Sequence, residues 1–160
     1  MMRLWRVCAR VHAAQAFSGQ GAALYGGRWN PPGVSLVYTS RTLSLAALEL
    51  YVNVEPDEVP GAFVCLESQV PDGVSQERIE ATSLPRAWRR CPAPAALQAI
   101  GQGWLQRGKT LLLIVPSVVI PEECNVLVNP RHPEFSRLAI RPPKPFSFDP
   151  RTWTRRPKSS

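Results

Sequence analysis

Seventeen prolines, running from Pro31 to Pro157, set the first limit on what this chain can fold into. Each proline fixes φ and removes a backbone donor, so neither a long helix nor a central strand runs through one. A helical bundle is excluded on that ground, and many short elements are expected. Hydrophobic residues make up 44% of the 160, enough for one domain with a proper core.

Between the prolines, hydrophobic patterning marks the elements. "RLWRVCARV" alternates Leu4, Arg6 and Cys8 against Trp5 and Val7, as an opening strand does. A connection from about His12 to Pro32 follows, and connections of that length in compact domains are often functional. "VSLVYTS" (34–40) predicts a buried strand, with Ser40 or Thr42 capping the helix "LSLAALELYVN". "GAFVCLESQVP" (61–71) predicts another strand, and 80–92 is irregular. A second helix is expected from Pro92 or Pro94, with Leu97, Ile100 and Trp104 at helical spacing and Gly108 as its stop. "KTLLLIVPS" (109–117) and "NVLVNP" (125–130) are apolar runs of strand length, and "RLAIRPPKPFSFDP" suits an edge strand. This order predicts a single α+β domain with a mixed, mostly antiparallel sheet.

The net charge of +7 is unevenly placed. Arg151, Arg155, Arg156 and Lys158 fall in the last ten residues with no acid among them. We read 1–150 as the folded domain and 151–160 as a basic, flexible tail. Such a tail suits nucleic acid, an acidic partner, or simple solubility. Charge alone therefore does not make this a DNA-binding chain. Cys8, Cys65, Cys91 and Cys124 lie far apart with no CxxC pair, so no zinc site is expected. The chain shows no secretory signal and no 18-residue apolar run, which predicts a cytoplasmic protein with reduced thiols.

Chemistry concentrates in a few places. In "YGGRWNPPG" (25–33), two glycines and a stiff Asn-Pro-Pro-Gly turn hold Arg28, whose planar fork suits phosphate or carboxylate. A rigid turn with its arginine paired to a surface acid has the same spacing. Glu49 has only Ala, Leu, Tyr and Val within three residues on either side. Such a carboxylate either reaches a polar edge or is held at the rim of a cleft. Tyr38 ends its strand, where the ring packs in the core or stacks on a flat ligand. Ser117 leaves the core after "LLLIVP", as a turn residue does, and no GxSxG surrounds it. Asn129 sits in "NPRHPEF", where His132 between prolines makes a poor metal ligand. No P-loop and no GxGxxG are present, so a nucleotide site here must use arginine, aromatics and a carboxylate.

Three ordered segments, "YGGRWNPPGVSLVYTS", "LAALEL" and "LLLIVPSVVIPEECNVLVNPRHPEF", resemble the RES-domain toxins of Res–Xre toxin–antitoxin pairs, from about Leu4 to Asp149. The family's arginine, glutamate and serine fall on Arg28, Glu49 and Ser117, and the tyrosine of its "VYTS" strand on Tyr38. The resemblance implies a split-sheet fold similar to mono-ADP-ribosyltransferases and cleavage of the nicotinamide–ribose bond of NAD. Water, inorganic phosphate or a protein group would be the acceptor. It also implies an Xre-like antitoxin that blocks the site. On this reading Arg28, Glu49 and Tyr38 are catalytic. Arg28, Tyr25, Trp29, Tyr38, Ser117 and Asn129 contact NAD, which is substrate; no cofactor and no metal are required. A non-catalytic nucleotide- or nucleic-acid-binding module, using the basic tail and the tryptophans, is the alternative.

Overall fold

The computed structural model describes residues 1–55 and 62–154. Eight strands form one sheet: β1 (Met2–Ala9), β2 (Val37–Ser40), β3 (Phe63–Val70), β4 (Gln76–Arg78), β5 (Leu112–Pro116), β6 (Cys124–Val128), β7 (Ala139–Ile140) and β8 (Lys144–Phe146). Their order is β4-β5-β6-β2-β1-β3-β7, with β8 also on β3. Among the described residues only β4–β5 is parallel. Four helices among the described residues accompany the sheet: α1 (Gln20–Tyr25), α2 (Leu43–Asn53), α3 (Ala95–Arg107) and α4 (Arg151–Thr154). The fold is α+β with a mixed, mostly antiparallel sheet, as the sequence predicts.

The sheet is continuous but thin at one joint. β1 and β3 pair in register along the whole strand, from Met2↔Val70 to Ala9↔Phe63. β1 and β2 meet at a single pair, Trp5↔Ser40. Two well-paired halves therefore join at a seam, and backbone groups along it must find partners other than ladder bonds.

Core packing follows the alternation of side chains along each strand. On β5, Leu112 and Ile114 join a cluster with Leu4, Val64 and Val126, while Leu113 and Val115 pack with Leu97 and Trp104 of α3. All four are buried, and burying each such side chain contributes about 2 kcal/mol. On β1, Val7 faces Ala46 of α2 in a third cluster. Thr42 caps α2, its hydroxyl accepting the Leu45 N–H at 3.1 Å. Ser40, the other candidate cap, belongs to β2. Gly108 ends α3 in the left-handed region at φ 57°.

Four features differ from the sequence reading. The long connection before Pro32 contains a 3-10 turn (Arg10–Gln15) and α1, whose six residues between glycines are too few to show a helical period. β4 was hidden because its three residues Gln-Glu-Arg carry no apolar pattern. The expected last edge strand is two short strands, β7 and β8, separated at Pro142 and Pro143 and both paired with β3. Finally, the chain from residue 151 begins with a helical turn. There Trp153 lies 5.3 Å from Tyr51 and 5.2 Å from Phe148 between ring centroids, and the Tyr51 hydroxyl donates to Thr152 O at 3.0 Å. Basic charge concealed an aromatic anchor. Residues 155–160 of the expected tail, and Gly61 of the expected strand, lie outside the described residues.

This anchor packs on α2, the helix that carries Glu49. Trp153→Ala is expected to remove about 2 kcal/mol of packing. At this chain length that lowers the melting temperature by roughly 4–8 °C, which differential scanning calorimetry reads directly.

Candidate active site

The motif "YGGRWNPPG" closes α1 and builds one wall of a cleft. Gly26, at φ 70°, ends the helix, its N–H donating to Ala22 O. Gly27 is required for a different reason: a Cβ there would stand 2.6 Å from the Tyr38 hydroxyl oxygen. Asn30 is fully buried, and its amide nitrogen donates to the carbonyls of Ala22, Pro31 and Val34 at 2.9–3.2 Å. Its Oδ1 accepts the Tyr38 hydroxyl proton at 2.6 Å, and the same hydroxyl accepts the Trp29 N–H at 3.0 Å. Burial pushes the Tyr38 phenol above its ordinary value, against smaller opposing effects of the Trp29 amide and the Arg28 charge. Tyr38 thus stays neutral and ties its strand to the arginine turn.

Among the described residues Arg28 pairs with no acid. Its Nη1 donates to Trp88 O at 2.8 Å and Arg90 O at 3.0 Å, and Nη2 donates to Cys91 Sγ at 3.2 Å. The guanidinium therefore pins the 88–91 segment, and Nε with one Nη2 hydrogen remain for another partner. From the other side, α3 supports the turn through Gln98, whose Nε2 donates to Gly27 O at 3.0 Å.

Glu49 faces this wall from α2. Two donors converge on its Oε1: the Ser117 hydroxyl at 2.7 Å and Asn125 Nδ2 at 2.6 Å. Ser117 is itself fixed, since its oxygen accepts the N–H groups of Val119 and Ile120, both at 3.1 Å. Asn125 is fixed by the Ser40 hydroxyl, which donates to its Oδ1 at 2.7 Å. One carboxylate oxygen is thereby locked by β6 and the turn after β5. Oε2 accepts no hydrogen bond among the described residues, so it is the oxygen left for a ligand.

Arg6 reaches the same place from β1. Its Nη1 donates to the carbonyl oxygen of Tyr38 at 2.9 Å, filling the seam where the β1–β2 ladder stops. Burial lowers its pKa from the ordinary guanidinium value, an effect partly opposed by Cys8. It remains a cation at neutral pH.

Two adjoining hollows of about 830 and 260 Å³ open here, and they share Arg6, Tyr38, Glu49, Asn53 and Asn125. The larger is of small-molecule size. Arg28 and Tyr25 line it as well, and Tyr25 is 85% exposed at the rim. Among the described residues no group of three metal-ligating side chains converges.

The structure thus brings Arg28, Tyr25, Tyr38, Glu49 and Ser117 together. Three expected contacts are corrected. Ser117 is fully buried and lines neither hollow, its hydroxyl donating to Glu49, so it holds that carboxylate instead of meeting a ligand. Trp29 lines the larger hollow but is only 3% exposed, its indole packed in the core with Leu36 and Trp104, because α3 packs directly on this residue. Asn129 sits past the far end of β6, its Oδ1 accepting the Arg131 N–H, roughly 13 Å along the strand from Glu49's partner. That partner is Asn125, the other asparagine of "NVLVN". The antiparallel register Ser40↔Asn125 places it beside the start of α2. Arg6 was also missed, although its place in alternation with Leu4 and Cys8, on a strand side otherwise apolar, is an available signal.

Comparison with known proteins identifies the family. The RES domain family model matches residues 3–149. The chain is 39% identical over 151 residues to the Prs ADP-ribosylating toxin of Sphingobium sp. (strain YBL2), covering 92% of this chain and 94% of that protein. It is 37% identical to Toxin Res of Yersinia enterocolitica serotype O:8 / biotype 1B, covering 94% and 99%. The fold is similar, at a TM-score of 0.75 and 17% identity over 96% of this chain and 87% of the other, to a chain in the crystal structure of the M. tuberculosis MbcT–MbcA toxin–antitoxin complex. With one family model spanning nearly all of it and toxin relatives aligned end to end, the chain belongs to the RES-domain family of toxins.

Proposed function

We propose that the cleft binds NAD and that the protein breaks the bond between nicotinamide and its ribose, depleting the NAD of the cell that makes it. The observation that carries this reading is the Glu49 carboxylate, locked through Oε1 by Ser117 and Asn125 with Oε2 unused. When the glycosidic bond breaks, its electron pair leaves with nicotinamide, which becomes a neutral base, and positive charge develops on the ribose. A preorganised carboxylate stabilises that charge and accepts a ribose hydroxyl proton in a hydrogen bond. The Tyr38 ring, held at its hydroxyl, offers a flat surface for the nicotinamide. The two spare donors of Arg28 suit a phosphate oxygen. An acceptor then adds to the ribose carbon and loses its proton, and no metal is needed.

Water or inorganic phosphate is the acceptor that depletes NAD most directly. A protein acceptor is a second reading, favoured by the name of the 39% identical relative, an ADP-ribosylating toxin. The similar fold found in a toxin–antitoxin complex supports an antitoxin partner, and we take it to be an Xre-like protein that covers the cleft and brings any DNA contact. Leu24, Tyr25, Leu48 and Val52 are exposed, and Tyr25 and Val52 line the larger hollow itself, so apolar surface lies where such a partner would close it. No helix among the described residues is long and apolar enough to cross a membrane, and we place the activity in the cytoplasm, with NAD.

The test is nicotinamide release from NAD by purified protein freed of any antitoxin, with and without inorganic phosphate. ³¹P NMR identifies the second product. Release supports the reading, and a phosphorylated ADP-ribose product assigns phosphate as acceptor. Absence of nicotinamide release from folded protein in both buffers, and with a cell extract supplying protein acceptors, overturns it. Within this reading, Asn125→Ala removes one of the two donors on Oε1. It is expected to slow turnover about 10–100-fold with a smaller change in KM, since a charged hydrogen bond contributes about 1.5–3 kcal/mol.

A further inference from the structure

We propose that Trp153 is a positioning residue for Glu49, acting through the second half of α2. The assignment rests on the NAD reading of the site and adds to it a device outside the cleft.

Helix α2 is held unevenly. Its two buried residues, Leu45 and Ala46, lie in the first turn. From Ala47 to Asn53 every residue keeps some exposure, and Glu49 falls in this part. Yet Glu49 Oε1 has to meet the Ser117 hydroxyl and Asn125 Nδ2, neither of which belongs to α2. Both bonds are short, at 2.7 and 2.6 Å, so a tilt that moves the carboxylate by about 1 Å breaks them.

The end of the chain holds this half of the helix from outside. Tyr51 stands two residues past Glu49, about 200° round the helix. Its ring meets Trp153 at 5.3 Å and Phe148 at 6.1 Å between centroids, and its hydroxyl donates to Thr152 O at 3.0 Å. Trp153 meets Phe148 edge-on at 5.2 Å, and Phe148 in turn meets Phe63 of β3 and Phe146 of β8. The anchor is thereby seated on the sheet. Leu50, next to Glu49, joins the same cluster as Trp153 and lines the smaller hollow. Trp153 itself lines neither hollow and lies past the end of the family domain at residue 149. Its influence on the reaction therefore passes through α2. Displacing a catalytic group by about 1 Å lowers a rate by up to about 100-fold.

The test compares full-length Trp153→Ala with wild type, well below the melting temperature of either. Nicotinamide release at saturating NAD is expected to slow about tenfold, with KM changed by less than about twofold. Trp153→Phe returns a ring to Tyr51 and Phe148 and should recover most of the rate. Trp153→Leu gives the readout if the alanine variant fails to fold. Leu138→Ala truncates the core away from both hollows and controls for lost stability; it should keep the wild-type rate. In a Glu49→Gln background, Trp153→Ala should slow the residual release no further, because the group it positions has lost its charge. Hydrogen–deuterium exchange supplies a reading that needs no NAD: amides of residues 49–53 should exchange faster in Trp153→Ala, and those of β6 should not.

Equal slowing in the Glu49→Gln background, or an equal loss in Leu138→Ala, would show a route other than Glu49 and overturn the assignment. A wild-type rate in Trp153→Ala would overturn it while leaving the NAD reading intact. Unchanged exchange over 49–53 would overturn it whatever the rates. If the wild type releases no nicotinamide, the NAD reading fails, and faster exchange over 49–53 still upholds the anchoring of Glu49 by Trp153.

Discussion

Glu49→Gln is expected to slow nicotinamide release from NAD by about 10²–10³-fold, the usual loss when a preorganised group facing transition-state charge is removed. The substitution keeps the shape of the side chain and its ability to accept from Ser117 and Asn125 through the amide oxygen. What disappears is the negative charge, and Oε2 becomes an NH₂ that donates where a ribose hydroxyl must donate. The melting temperature should move little, because the site lies on an open cleft and the core contacts of α2, through Leu45 and Ala46, are untouched. NAD affinity should fall far less than turnover, since the interaction strengthens as charge develops. Single-turnover release measured beside calorimetry separates the two effects. Activity within tenfold of wild type would show that Glu49 is not the stabilising carboxylate.

Gly101→Ala is expected to be the most damaging glycine-to-alanine change among the described residues. Helix propensity alone would favour alanine by about 1 kcal/mol. Contact decides otherwise: the new Cβ would stand 1.8 Å from Trp29 O and 3.1 Å from Trp29 Cβ. Helix α3 or the arginine turn must move by more than an ångström. Overpacking of this kind costs about 3 kcal/mol, a fall of roughly 6–12 °C in melting temperature at this length. Activity should drop as well at temperatures where the variant remains folded, because the displaced carbonyl belongs to the residue after Arg28. Gly103→Ala is the matched control. Its Cβ would meet only Arg107 Nη1, at 3.6 Å, so the propensity term stands alone and the variant should be slightly more stable than wild type. Equal stability of the two variants would refute the close packing of α3 on the turn.

What the sequence revealed depended on how local each feature is. β5 and α3 are long, apolar or periodic, and their extents follow from pattern and from Gly108. The close approach of Gly27 to Tyr38 crosses from a turn to a strand, and the pinning of Arg28 by the Trp88 and Arg90 carbonyls joins residues about 60 positions apart, so no spacing rule reports either. Asn125 and Asn129 look alike in "NVLVN", and only the pairing of β6 with β2 tells which end meets Glu49. Ser117 shows that two readings can hold together: it is a turn residue, accepting two backbone N–H groups, and it also donates to the carboxylate. The basic composition after Pro150 concealed Trp153, whose partner Tyr51 is about a hundred residues away in sequence.

The most direct test is a crystal structure of the Glu49→Gln protein with NAD bound. The account expects the nicotinamide ribose within hydrogen-bond distance of residue 49, the nicotinamide ring against Tyr38, and the diphosphate on the side of the cleft bearing Arg28. A dinucleotide bound elsewhere, with this cleft empty, would contradict it.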